Sequence, residues 1–195
     1  MPAPTPNPLL PKIIAAAENL VREEHFSVEN LCLAADCSLR QLGEAVGTVD
    51  DVISHVNDRF MAAYLDKAAP LSQEADDLKA VTALAMAWLD HALANPKNME
   101  MLLLHRWAPN FTRPDWYLAR VNACFAPMEV RLAKLGPAAP APAVGGVARG
   151  IYAHICGLYF LSINERAKPA GIESIRGLLQ MHVAMLARGL ASTPA

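Results

Sequence analysis

The chain lacks most of the features that would make its function plain. Four cysteines in 195 residues, at positions 32, 37, 124 and 156, are too few and too scattered for a disulfide framework. Cys32 and Cys37 lie five apart, which is not a Cys-x-x-Cys spacing and would put them on different faces of one helix; small buried hydrophobes are the expectation. There is no Gly-rich phosphate loop, no His-Glu-x-x-His and no Gly-x-Ser-x-Gly. Asp90 and His91 adjoin in sequence without a credible nucleophile, so an enzyme is not expected. The start, MPAPTPNPLLPK, has neither the basic opening nor the apolar core of a secretory signal, and residues 1–10 read as a disordered, proline-rich lead-in. No apolar run reaches the roughly 18 residues of a membrane span. The longest candidate, residues 151–163, contains His154 and reads as a buried helix. A cytoplasmic protein is the expectation.

Charge is also scarce, at 18% of residues, and unevenly spread. Residues 1–67 carry five basic side chains (Lys12, Arg22, Arg40, Arg59, Lys67) against ten acidic ones, a net of −5. The remaining twelve basic and nine acidic side chains leave residues 68–195 at +3. Phosphate neutralisation supplies most non-specific affinity for nucleic acid, so an acidic N-terminal part argues against a simple DNA-binding head.

What the chain does have is helical patterning and burial. Hydrophobic residues make up 53%, and the mean hydropathy is +0.19, enough for a large core and a subunit interface. Residues 12–24 place Ile13, Ala16, Ala17, Leu20 and Val21 at helical spacing. Within residues 38–65, Ser38 with Gln41 forms a capping-box pattern, Gly47 suits a helix end that needs positive φ, and Thr48 with Asp51 opens another helix. Two pairings remain open. Residues 39–46 can be the first helix and 49–56 the second, or 28–37 the first and 39–46 the second; the former is preferred. Residues 58–67 should connect to the rest, with a hinge at Pro70. Helices are expected over 73–94, ended by Asn95-Pro96, over 99–107, and from Arg113 to about Leu135 with Pro127 inside. GPAAPAPAVGG, residues 136–146, reads as a mobile linker. Two apolar helices, 147–164 and 172–190, close the chain.

LRQLGEAVG followed by HVNDR resembles the DNA-binding region of tetracycline-repressor (TetR) family regulators. Gly47 stands at the family's turn glycine, His55 at its histidine, and Arg59 at its lysine, while Val56 replaces a phenylalanine and Ile53 a tyrosine. ALANPKNMEMLLLHR and ARGIYAHICGLYFLSIN resemble the effector-binding domains of one TetR subgroup. The resemblance implies an all-α fold, with a small N-terminal helix-turn-helix head (11–69) on a larger helical ligand-binding and dimerisation body (70–195). It implies a transcriptional regulator that binds double-stranded DNA as a homodimer, paired through the helices between Val147 and Leu190 and controlled by a small apolar effector. Candidate DNA contacts are Arg40, Thr48, His55 and Arg59. Asp50 and Asp51, at the start of the preferred recognition helix, suit capping better than base reading. Candidate effector contacts are Trp88, His91, Met101, His105, Trp107, Trp116, Phe125 and His154, each of which could equally be helix-bundle core. No cofactor and no metal site is expected; His91 and His105 have no demanding spacing. The acidic head supports an alternative, a TetR-shaped protein that has lost DNA binding and acts through a ligand or protein partner.

Overall fold

The computed structural model describes residues 7–163 and 172–192, and within them the chain is all-α, with nine helices and no strand. They are α1 (Leu9–Arg22), α2 (Val28–Ala35), α3 (Leu39–Val46), α4 (Val49–Leu71), α5 (Asp77–Ala94), α6 (Pro96–Leu104), α7 (Asp115–Leu135), α8 (Ala141–Ile163) and α9 (Ile172–Ala191). Of the expected lead-in, residues 1–6 lie outside the described residues, and α1 begins at Leu9 rather than Lys12. The Asn7 side chain accepts the Leu9 N–H at 3.0 Å. Pro11 sits in the first turn, where a missing N–H costs nothing.

Two compact units emerge from the packing: Met1–Met61 with Asn95–Arg120, and Ala62–Ala94 with Val121–Ala195. Two of the three boundaries fall inside α4 and α7, and the third lies between α5 and α6. Packing thus groups α6 with α1–α3, whereas the sequence suggested a body that starts at residue 70. The core of the first unit gathers Ile13, Ala17 and Val21 of α1, Leu31 and Ala35 of α2, Leu42 of α3, and Val52 and Val56 of α4. In the second unit α5, α8 and α9 pack mutually. Leu84 and Leu89, Ile151 and Tyr159, and Leu179 and Val183 are fully buried there.

Three expectations about breaks in the helices are corrected. Residues 49–56 and 58–67 do not form separate helices but one, α4, because Val52, Val56, Phe60, Tyr64 and Ala68 continue a single buried stripe. Pro70 is no hinge; it lies in the last turn of that helix. Nor is 136–146 a linker without packing. Gly136 is buried, and a Cβ there would lie 2.8 Å from the Leu190 side chain. Ala141 already belongs to α8, and Pro142 in its first turn lacks only an N–H that would have no intrahelical partner. Residue 164, expected to end that helix, lies outside the described residues.

α8 spans 23 residues with a mean hydropathy of 1.2 in its most apolar stretch, long and apolar enough by composition to cross a membrane. Its Ala148, Ile151, Ile155 and Leu158 are buried within the second unit, as in the core helix of a bundle.

Candidate functional site

The first unit contains a helix, a three-residue turn and a second helix, built almost wholly by local chemistry. Ser27 opens α2, its Oγ accepting the Asn30 N–H at 3.1 Å. α2 ends where Asp36 enters the left-handed region at φ 50°, a conformation that Asp tolerates better than most non-glycine residues. Cys37 N–H then donates to the Cys32 carbonyl at 2.9 Å and Asp36 N–H to the Leu33 carbonyl at 3.2 Å. That bond pair is a Schellman motif, which turns the chain back over its own last turn. Ser38 opens α3 with the expected capping box: Gln41 N–H donates to Ser38 Oγ at 3.2 Å, and Ser38 N–H to Gln41 Oε1 at 2.9 Å. Leu42 anchors α3 to the core, while Leu39, Arg40, Gly43 and Glu44 are exposed.

α3 stops at Gly47, whose φ of 101° suits glycine; a Cβ there would also meet Asp51 Oδ2 at 2.7 Å. Thr48 and Asp51 then cap α4 reciprocally, Thr48 N–H donating to Asp51 Oδ2 at 2.8 Å and Asp51 N–H to Thr48 Oγ1 at 3.2 Å. The first turns of α4 are embedded: Val52, Ile53, Ser54, Val56 and Asn57 are fully buried. A helix buried on so many sides has little free face to lay against a partner. Of the two pairings open in the sequence, α2 with α3 leaves its second helix more exposed than 39–46 with 49–56 does.

Each of the four candidate DNA contacts has a partner within the first unit. Arg40 is on the outward side of α3, 3.5 Å from Glu44. Thr48 spends its hydroxyl on Asp51 at 2.7 Å. His55 stacks on Trp116, ring centroids 4.6 Å apart, and burial pushes its pKa below the usual histidine value. Arg59 donates to Glu18 of α1 at 2.8 Å. Lys12 lies 3.6 Å from Asp36. Lys12, Arg40 and Arg59, which would have to form any basic stripe, each stand beside a carboxylate.

The eight candidate effector residues divide between the units. Met101, His105, Trp107 and Trp116 belong to the first, where Trp107 stacks on Phe111 at 5.3 Å and meets Tyr117 edge-on at 5.8 Å. Trp88, His91, Phe125 and His154 belong to the second. There Trp88 meets Tyr64 edge-on at 4.3 Å and lies 5.7 Å from Tyr152, which takes Phe125 at 5.5 Å. His91 is buried against this group, with its Nδ1 3.1 Å from Lys67 Nζ. Burial raises the Tyr64 phenol well above its ordinary value. These rings pack against one another as core does. A separate surface depression of about 730 Å³ in the second unit is lined by Val130, Gly136, Pro142 and Val144, with the Glu129–Arg149 pair at its edge.

His154 stacks on His182 with centroids 3.9 Å apart, and its Nε2 is buried with no hydrogen-bond partner among the described residues. Desolvation first, and His182 second, push the His154 pKa below 6.5. The unfolded chain takes up that proton near pH 6.5, the folded chain only at lower pH, so stability is full above this range and falls as the pH drops through it. His154→Gln should therefore lose less stability than wild type between pH 7.5 and 5.5 in urea titrations. Equal losses would count against the assignment.

Sequence reasoning missed the polar tie that holds the segment after α6. Asp50, 7% exposed, accepts from His105 Nε2 at 2.6 Å and from Ala108 N–H at 3.0 Å. It also missed Asp58 with Arg120, 2.7 Å apart. Both bring together residues more than fifty positions apart, and no local pattern marks them. Among the described residues no group of three or more His, Cys, Asp or Glu side chains is placed to hold a metal.

No protein-family model matches the chain, and no curated protein matches it.

Proposed function

We propose that the chain is a cytoplasmic, homodimeric transcriptional regulator of the tetracycline-repressor type, with α2 and α3 as its helix-turn-helix. One observation carries this reading: two individually capped helices joined through a left-handed Asp36, the second anchored by Leu42 and otherwise turned outward. That is the local geometry which lets a second helix lie in the major groove. Arg40, exposed on α3, is the side chain best able to reach DNA. Homodimerisation is supported by the second unit. Exposed Leu178, Met181 and Met185 recur on one side of α9, and α8 exposes the small residues Gly146, Ala153 and Gly157. A small apolar effector fits the second unit, whose depression falls in the volume range of small-molecule sites. Its binding would shift operator affinity through differential affinity for two states of the dimer.

The test is fluorescence anisotropy with labelled DNA flanking the chain's own gene, against scrambled DNA of equal length. Tighter binding to the native sequence by tenfold or more is expected. Arg40→Ala should weaken binding and reduce the salt slope by about one per contacting protomer. Equal affinity for native and scrambled DNA would sink the reading.

A second reading rests on the charges. Between Glu23 and Asp58 the only Lys or Arg is Arg40, against eight carboxylates. The same region exposes Leu33 at 80% and Leu39 at 66%. A surface that is acidic and apolar suits a protein or ligand partner better than phosphates. Absence of DNA binding even at low salt would favour this alternative.

A further inference from the structure

The Schellman turn has a chemical consequence. In this motif the residue three before the helix cap and the second residue beyond it are joined by the outer backbone hydrogen bond, and their side chains commonly touch. Those two positions are usually apolar. Here both are cysteine: Cys37 N–H donates to the Cys32 carbonyl at 2.9 Å. The reversal at Asp36 therefore overturns the expectation that a five-residue offset separates the thiols. That backbone bond closes the turn and brings its two ends together, the proximity a disulfide requires. Both thiols are half-buried against the core and line a surface depression of about 410 Å³ with Glu29, Leu33 and Gln41, so a small oxidant can reach them.

We propose that Cys32 and Cys37 form a redox pair: a hydroperoxide converts them into an intramolecular disulfide across the α2–α3 turn, and a low-molecular-weight thiol reverses it. Burial first, then neighbouring Cys32, raises the Cys37 pKa, which suits Cys37 to the second, resolving step. The Cys32 thiolate attacks the peroxide oxygen and the O–O bond breaks, giving a sulfenic acid and an alcohol (or water). Cys37 sulfur then attacks the sulfenic sulfur, loses its proton and expels water. Two thiols and one hydroperoxide become one disulfide, one alcohol and one water; the sulfurs lose two electrons and the O–O bond gains them. Two equivalents of external thiol, themselves oxidised to a disulfide, restore the pair by exchange. The bond would hold Asp36 in its left-handed conformation and fix the α2 end against the α3 start. The proposal does not depend on α3 contacting DNA.

The experiment treats full-length protein with stoichiometric hydrogen peroxide, counts free thiols under denaturant, and maps linkage after cleavage on the N-terminal side of Asp36, which separates the two cysteines. The count should halve, from four to two, and the peptides on either side of Asp36 should stay joined until reduced. Cys32→Ser or Cys37→Ser should each abolish the linkage, and the Cys124→Ser/Cys156→Ser double variant should retain it. Four thiols surviving oxidation, a linkage that persists in Cys32→Ser, or a bond between two copies of the chain would overturn the proposal. Thiol counting and linkage mapping on the wild-type chain distinguish these outcomes even if a serine variant fails to fold.

Discussion

Met181→Glu combined with Met185→Glu is expected to weaken the proposed pairing of two chains at least a hundredfold, as read by sedimentation velocity. Met181 and Met185 are 56% and 62% exposed and sit four apart on α9, one turn beyond exposed Leu178. Phe160 and Leu161 are exposed near the end of α8. Large contiguous apolar patches are uncommon on proteins that remain monomeric. Burying a methionine side chain contributes about 1.5–3 kcal/mol, and twofold symmetry counts each substitution twice. Four side chains would thus be replaced by carboxylates facing apolar surface. Half of the lost burial, about 3–6 kcal/mol, exceeds the roughly 2.7 kcal/mol that corresponds to a hundredfold change in Kd. Because Val183 and Leu179 carry the inner side of α9, the monomer should keep its helical content and cooperative unfolding. A wild-type chain that sediments as a monomer, or a double variant that still pairs, would refute the assignment of this face.

How far the sequence foretold the molecule follows the range of each interaction. Helix starts were legible where a side chain and a backbone N–H lie three residues apart, as at Ser38 and Thr48. Gly47 was legible for the same reason, since positive φ is a single-residue property. Errors arose where a long-range stripe overrode a local cue. Asp58 looked like the start of a new helix, but Val52, Val56, Phe60 and Tyr64 share one buried side, so α4 passes through it unbroken. Pro and Gly at 136–146 suggested a mobile linker, yet Gly136 is where Leu190 approaches too closely for a Cβ. The division of the candidate aromatic and histidine residues between the two units was not legible, because it depends on how α6 packs rather than on where it falls in sequence. The Cys32–Cys37 juxtaposition required knowing that Asp36, not a glycine, takes the left-handed turn.

Adjacent aspartates test that distinction between local and distant chemistry. Asp50→Ala should destabilise the fold by about 3–4 kcal/mol, whereas Asp51→Ala should cost about 1 kcal/mol, the ordinary value of a lost helix cap. Asp51 is half-buried and bonds within its own turn, to Thr48 N–H and Oγ1. Asp50 is buried and accepts from two groups more than fifty residues away, one oxygen to His105 and the other to the Ala108 backbone. Its removal leaves an imidazole N–H and a peptide N–H without their acceptor in a poorly solvated place, and the cost of such orphaned donors exceeds that of a lost helix cap. His105 has a second restraint, its ring edge against Trp107 at 4.7 Å, so it cannot simply swing into water. The loss should therefore extend to the segment after α6 and appear as faster hydrogen exchange at Ala108 and Phe111, whose N–H donates to the Ala108 carbonyl at 2.9 Å. Urea titrations of both single variants, and of Asp50→Ala with His105→Ala, resolve the terms. In the double variant the His105 donor is gone, so the two losses should add to less than their sum. If Asp50→Ala costs no more than Asp51→Ala, the buried carboxylate is a helix-end charge like its neighbour, and the tie between α4 and the chain beyond α6 contributes nothing to stability.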